Sequence, residues 1–334
     1  MRGWEKIMTN KEVYKKTLKF STRVFLWDTL AFLILAACAV GGFFGAQKLW
    51  DKGLIGLGGG LLIGIIIIVI LLRYVSFTYK AAQIAMMTKG VTEGTLPEDV
   101  IGEGKKIVRE RFATVAIYFA ATGLIKGIFR QVGRGITKLG ESIGGDTGSA
   151  VGSAVSGAIN VVVAYLCDCC LGWIFYRKEE KSGKATLQGA ALFFKHGKTF
   201  IKNMGRVAGI GGISLLAIGG AFFGIAYVIC LQFPDAFRSL AAEITNAFAN
   251  GSATAKSAWL RDILQNPTTL TIAAAVIVAL FFWSVVHSTF VRPFVLVGVL
   301  RNYIQSGIED MPTEQSYEAV AKISPKFRKL QAEA

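Results

Sequence analysis

The chain has 334 residues, 53% of them hydrophobic, with a mean hydropathy of +0.49 and a formal net charge of +15. That much apolar surface is more than a soluble domain hides, so a water-soluble globular protein is excluded. The positive charge brings no aromatic-interleaved basic module and no nucleic-acid motif with it. Nucleic acid is therefore not expected as a partner, and the excess of Lys and Arg is read as that of membrane-protein loops.

Residues 1–23 form a basic amphipathic segment carrying Arg2, Lys6, Lys11, Lys15, Lys16, Lys19 and Arg23. Its "TNKE" opens with a capping box between Thr9 and Glu12, which predicts an interfacial helix over 9–23. The basic residues place this segment in the cytoplasm. The apolar run behind it is too long for a signal-peptide core, so an uncleaved first span is expected. Residues 24–79 read as a hairpin of two spans, Val24–Gln47 and Leu54–Tyr74, joined by a short outer loop. Asp28 beside Trp27 reads as an interface anchor. Gly56, Gly60 and Gly64 recur at helical spacing and predict close backbone packing. Residues 80–112 form a cytoplasmic connector with Lys80, Lys89, Lys105, Lys106, Arg109 and Arg111.

Residues 113–300 form a four-span region. Val151–Tyr176, Val207–Leu231 and Leu270–Leu300 are strongly apolar, the last interrupted by Arg292 and Pro293. The segment 177–206 is as basic as the 80–112 connector. If both are cytoplasmic, an even number of crossings separates them, and only "TVAIYFAATGLIKGIFR" at 114–130 can supply the second. That segment runs into a basic stripe of Lys126, Arg130, Arg134 and Lys138, one residue per turn. The stripe suits an amphipathic helix lying in the interface, or a spanning helix that faces a partner, a cavity or the outer surface, and the charge arithmetic favours the crossing. Residues 184–204 mix Phe193, Phe194, Phe200 and Ile201 with lysines, as an interfacial helix does. The "HGKT" within it is not a phosphate loop, because Phe193 stands where the first glycine belongs. His196 reads as a solvated residue. Residues 232–268 are poor in Lys and Arg, as an external loop should be, and 301–334 form a cytoplasmic tail. Small residues also recur at Gly144, Gly148, Gly152 and Ser156, at Gly205 and Gly209, and at Gly220 and Gly224. Tight packing within the chain is the simplest use of all these repeats. The fold class is an all-α polytopic membrane protein with about six transmembrane helices plus cytoplasmic interfacial helices. It is placed in the cell membrane as a multi-pass protein with both termini cytoplasmic.

"YLCDCCLGWIFYRK" (165–178) concentrates the chemistry. Adjacent helical residues point about 100° apart, so Cys167, Asp168, Cys169 and Cys170 do not converge on one metal ion. Asp168 lies roughly 13 Å back from Arg177, which puts it near the bilayer middle. A bare charge there costs about 2.5 to 3.5 kcal/mol, so it must be paired, protonated or facing water. Lys126, His287 and Arg292 are the candidate partners. The group is either a structural ion pair or part of a polar path. His287 alone reads as a satisfied core histidine. No catalytic residue, cofactor site or metal site stands out, and no enzyme is expected.

Several stretches resemble the C-terminal half of the choline transporter-like family. They are "YFAATGLIKGIFRQVGRGI", "AYLCDCCLGWIFYRK", "GAALFFKHGKTFIKNMGRVAGI" and "FFWSVVHSTFVRPFVLVGVLRNYIQ". The resemblance covers about the last two thirds of the chain and implies that 114–130 is a span. The family's members are larger and linked to choline or ethanolamine transport, so a complete transport path within one chain is put in doubt. The resemblance also implies an acid near the position of Arg292. Here the sign is reversed and the acid stands at 168, which makes Asp168–Arg292 the expected pair.

The function expected is a transporter or channel-like subunit for a small polar or cationic solute. The alternative is a non-transporting scaffold that binds a partner or lipid through the 80–111 connector and the basic tail. Membrane lipids, further copies of the chain and a small cationic solute are the partners considered. A path lined by Asp168, Lys126, His287 and Arg292 would favour transport; the same groups paired off would favour a scaffold.

Overall fold

The computed structural model describes residues 8–50, 53–69, 73–112, 122–131, 149–249 and 266–333, and among these every regular element is helical. In chain order they are α1 (Asn10–Trp50), α2 (Gly53–Ile67), α3 (Arg73–Glu93), α4 (Val100–Arg111), α5 (122–131), α6 (Ser149–Tyr176) and α7 (Ser182–Ser214). They continue as α8 (Gly220–Cys230), α9 (Pro234–Ala249), α10 (Pro267–Val286), α11 (Arg292–Glu309), α12 (Glu314–Ile323) and α13 (Pro325–Glu333). Two π-helical turns, Leu215–Gly219 and His287–Val291, join α7 to α8 and α10 to α11. The chain divides into two compact units. The first is Met1–Thr22, Thr78–Ile210 and Phe290–Ala334; the second is Arg23–Phe77 and Gly211–Thr289.

This is an all-helical membrane protein. Asn10–Trp50, Gly209–Cys230 and Pro267–Glu309 are long and apolar enough to cross a bilayer, and Gly53–Ile67 and Val163–Tyr176 are shorter apolar helices. The outward faces are apolar: Leu216 is 79% exposed, Ile213 70% and Ile277 68%. Side chains of this kind in such numbers suit lipid as their solvent.

Helix α1 starts as the capping box predicts. Glu12 accepts from the Thr9 amide at 2.7 Å, and Thr9 Oγ1 accepts from the Glu12 amide at 3.3 Å. The helix then runs unbroken through the boundary expected at residue 23, because no glycine or proline occurs between Asn10 and Val40 to stop it. The expected interfacial helix 184–204 is likewise the first part of a longer helix, α7, which continues to Ser214. The 232–268 segment is not simply a loop. It opens with α9, whose Glu243 accepts from the Leu54 amide at 2.7 Å and so caps the positive end of α2. The second expected span, Leu54–Tyr74, is described only in part: α2 ends at Ile67, and residues 70–72 lie outside the described residues.

In the second unit the predicted glycine packing is present at α2. A Cβ on Gly60 would strike the carbonyl oxygen of Cys38, and Gly42 and Gly56 would each strike the other's carbonyl. Gly209, Gly220 and Gly224 behave differently. A Cβ at any of them meets nothing within 4 Å, so these repeats face outward and do not pack. Gly144 and Gly148 lie outside the described residues. Elsewhere in this unit Phe222 stacks on Phe282 at 5.2 Å and Phe32 on Phe281 at 4.5 Å.

The core of the first unit gathers on α6, α7 and α11. Trp173, Tyr303, Leu166 and Ile174 are fully buried. Trp173 Nε1 donates to Gln188 Oε1 at 3.3 Å, and Tyr303 Oη donates to the Gly189 carbonyl. Gly307 leaves room for the Trp173 ring and Gly172 for Leu300. The glycine contrast gives a direct test. Gly60→Ala should lower the melting temperature in detergent by an amount corresponding to about 1–3 kcal/mol of overpacking. Gly224→Ala should leave it unchanged or raise it slightly, since alanine holds a helix better than glycine by about 0.5–1 kcal/mol.

Candidate functional site

Helix α6 presents Ala164 and Asp168 one turn apart, and Arg292 reaches both from the first residue of α11. Its Nη2 donates to the Ala164 carbonyl at 3.0 Å and to Asp168 Oδ2 at 2.5 Å. The guanidinium also lies over the Tyr165 ring, 5.4 Å from its centroid. Arg292 Nε is buried and has no hydrogen-bond partner among the described residues. The pair is not sealed: the side chains of Arg292 and Asp168 are 30% and 23% exposed. Lys80 and Lys126 add their positive fields at Asp168. Nothing in the spacing of the sequence singles out Lys80, Ala164 or Tyr165 for this site, because only the packing of α6 brings them together.

Lys126 itself points away. On α5, Ile125, Ile128 and Phe129 are buried, and Phe129 meets Phe193 edge-on at 5.7 Å. That apolar face turns Lys126 and Arg130 outward, and both are exposed. One inward face on α5 fixes the orientation of both. Arg134, Lys138 and residues 114–121 lie outside the described residues. The end of α5 is anchored unexpectedly: Ser324 Oγ donates to Gln131 Oε1 at 2.6 Å, and a Cβ on Gly127 would come within 2.7 Å of Lys326 Nζ. The helix that carries the basic stripe thus packs on the C-terminal tail.

His287 does not serve the ion pair. In the second unit its Nδ1 lies 2.9 Å from Ser214 Oγ, which also accepts from Trp283 Nε1 at 3.2 Å. Trp283 and His287 sit one turn apart with ring centroids 5.4 Å apart. Ser214 precedes one π-helical turn and His287 opens the other, a local geometry that recurs at functional positions in helices. The i, i+4 spacing of Trp283 and His287 was visible in the sequence, but Ser214 was not.

Cys169 and Cys170 are packing groups. Both are buried, and Cys170 Sγ donates to the Thr186 carbonyl at 3.8 Å. Among the described residues no group of His, Cys, Asp and Glu is arranged to hold a metal ion. His196 meets Asp310 in the first unit, its Nε2 lying 3.6 Å from the carboxylate. Lys195 also donates to that carboxylate and holds it below the usual carboxylate range. With this geometry in view, no family model, curated protein or solved structure matches the chain.

The pair gives a second prediction. Asp168→Asn strands the Arg292 charge, at a cost between the about 1 kcal/mol of a surface pair and the about 3–5 kcal/mol of a buried one. Thermal unfolding in detergent should register that loss, and adding Arg292→Met should recover most of it. A double variant no more stable than Asp168→Asn would show that the two residues act separately.

Proposed function

We propose that this is a multi-pass protein of the cell membrane that binds a lipid or partner through its first unit and does not itself move solute. The observation that carries the reading is the contact of Gln131 with Ser324. The tail around it is charged and polar, with Lys326 and Arg328 exposed, and such a segment does not enter hydrocarbon. Since α5 shares that layer, we assign α5 to the cytoplasmic interface rather than to the crossing expected at 114–130. Arg111, at the other end of the segment, supports this: its guanidinium donates to the carbonyls of Arg177 and Lys178 at 3.1 and 3.3 Å, in the basic turn after α6. The first unit also collects the basic parts of the chain, from the N-terminal segment and the connector to the 177–206 region and the tail. With α5 at the interface, the apolar helix Val163–Tyr176 is read as part of the same cytoplasmic layer and not as the crossing expected at 151–176. That keeps 80–112 and 177–206 on one side and supports cytoplasmic placement of both termini. The closing of Arg292 on Asp168 fits a locked packing contact better than an open path.

A transport reading draws on two things: the resemblance to the choline transporter-like family, and the His287–Ser214–Trp283 cluster at the π-helical turns. A histidine within an apolar bundle is a suitable element of a solute or proton path.

Two measurements test the proposal. Cysteines introduced singly at Gly145, Lys105 and Lys184 should resist an impermeant reagent added outside intact cells, and one at Ser252 should react. Labelling at Gly145 would return 114–130 to the spanning set. Proteoliposomes holding the full chain should take up radiolabelled choline no faster than protein-free vesicles. Uptake that Asp168→Asn abolishes without loss of stability would establish transport.

A further inference from the structure

Helix α13 lies on α5 in a way that gathers positive charge. Ser324 Oγ donates to Gln131 Oε1 at 2.6 Å and accepts from the Phe327 amide at 3.2 Å. Phe327 is fully buried and meets Tyr317, with ring centroids 6.2 Å apart. The first turn of α13 is thereby fixed, and Lys326 within it is laid across α5. A Cβ on Gly127 would come within 2.7 Å of Lys326 Nζ and 2.8 Å of its Cδ. Glycine is unfavourable inside a helix, and here its missing side chain is what admits the lysine. Lys126 and Arg130 are surface neighbours of residue 127 on the same helix. The Lys326 ammonium thus sits among two further cations, and all three residues are exposed.

Like charges at this spacing repel. The exposed acids of α12 and α13 are Glu314, Glu318 and Glu333. Glu333 faces Lys329 at 3.9 Å, and among the described residues no carboxylate lies within ion-pair distance of Lys126 or Lys326. Lys126 adds its field at Asp168, but that carboxylate is already held by Arg292. Packing therefore keeps three cations together against their repulsion, and an anion is what would relieve it.

We propose that this surface of α5 and α13 docks on anionic phospholipid headgroups of the membrane that holds the chain, with Lys126, Lys326 and Arg130 donating to headgroup phosphates. Charge complementarity selects the occupant. A chain with helices apolar enough to cross a bilayer meets headgroups at high local concentration, and each basic residue near an anionic leaflet strengthens binding about fivefold. The proposal rests on the reading of the first unit as a lipid-binding platform, and it supplies that platform's surface and lipid class.

The test uses the full-length protein in neutral detergent. Thermal stabilisation is measured against dioctanoyl phosphatidylglycerol, dioctanoyl phosphatidylcholine and glycerol 3-phosphate. A ligand that binds only the folded state raises the melting temperature by mass action. Phosphatidylglycerol should stabilise, and much less so at about 1 M salt, where the screening length falls to about 3 Å. Equal stabilisation by phosphatidylcholine would show a site for lipid tails, and equal stabilisation by glycerol 3-phosphate a site for soluble phosphate. Either result overturns the proposal, as does no stabilisation at all. Lys126→Gln combined with Lys326→Gln should weaken phosphatidylglycerol binding by at least about tenfold. Lys48→Gln combined with Arg238→Gln removes the same charge from the second unit and should leave binding within about twofold; equal losses from both pairs would show charge without a site. Gly127→Ala keeps every charge and displaces only the Lys326 ammonium. It should weaken binding about fivefold, while the unliganded melting temperature stays the same or rises, since alanine suits a helix better. Normal binding by Gly127→Ala, or a Lys326→Gln protein that melts lower and binds normally, would show the lysine to be structural, and the surface would fall. Choline uptake in proteoliposomes is read in parallel. Uptake by a protein that still binds phosphatidylglycerol through these residues removes the non-transporting reading and leaves the surface standing; absence of both uptake and binding removes the surface alone.

Discussion

A guanidinium held against a carboxylate and a helix carbonyl is the contact on which the first unit turns. Arg292 is the first residue after a π-helical turn, so the direction in which α11 leaves that turn is set where its charge must be satisfied. The Ala164 carbonyl and the Asp168 carboxylate, one helical turn apart on α6, satisfy it together. Once α11 is registered on α6 in this way, Gly172 and Gly307 fall opposite Leu300 and Trp173, where no larger residue fits. Trp173 in turn reaches Gln188, and Tyr303 reaches the Gly189 carbonyl, so α7 is drawn onto the same core. A polar requirement at one point thereby aligns an apolar interface along three helices.

The π-helical turn before Arg292 shows the same economy. A wide turn disturbs the ordinary ladder of backbone bonds and leaves carbonyls to be met by other groups. Tyr14 donates to the Phe290 carbonyl at 3.1 Å. The start of α1 is tied down nearby, where Arg301 Nε donates to Asn10 Oδ1 at 2.6 Å. The N-terminal segment, which the sequence presents as an interfacial amphipathic helix, is thus held by α11 and by Gln83, whose amide donates to Ser21 Oγ at 2.9 Å. Its basic face remains toward solvent, where it can meet anionic headgroups.

The second unit is organised by a different constraint. Its helices have apolar outer surfaces, so burial of greasy side chains does little to choose between packings. Close backbone approach at Gly42, Gly56 and Gly60 and stacked rings around Phe282 make the choice instead. A glycine repeat in the sequence announces that a helix can approach another closely, but not whether it does. Gly60 meets a backbone and Gly224 meets open space, although both stand in the same kind of i, i+4 repeat.

Helical class, membrane character, the capping box at Thr9 and the partnership of Asp168 with a basic residue were legible in the sequence. Each follows from short-range rules: hydropathy over a window, spacing along a helix, and the cost of an unpaired charge in an apolar run. The choice of Arg292 as that partner came from the resemblance and not from spacing. The run-on of α1 past residue 23 was also within reach, since no breaker stands there. The packing of α5 on the tail was not, because Gln131 and Ser324 are far apart in the chain and nothing local marks either as the other's partner.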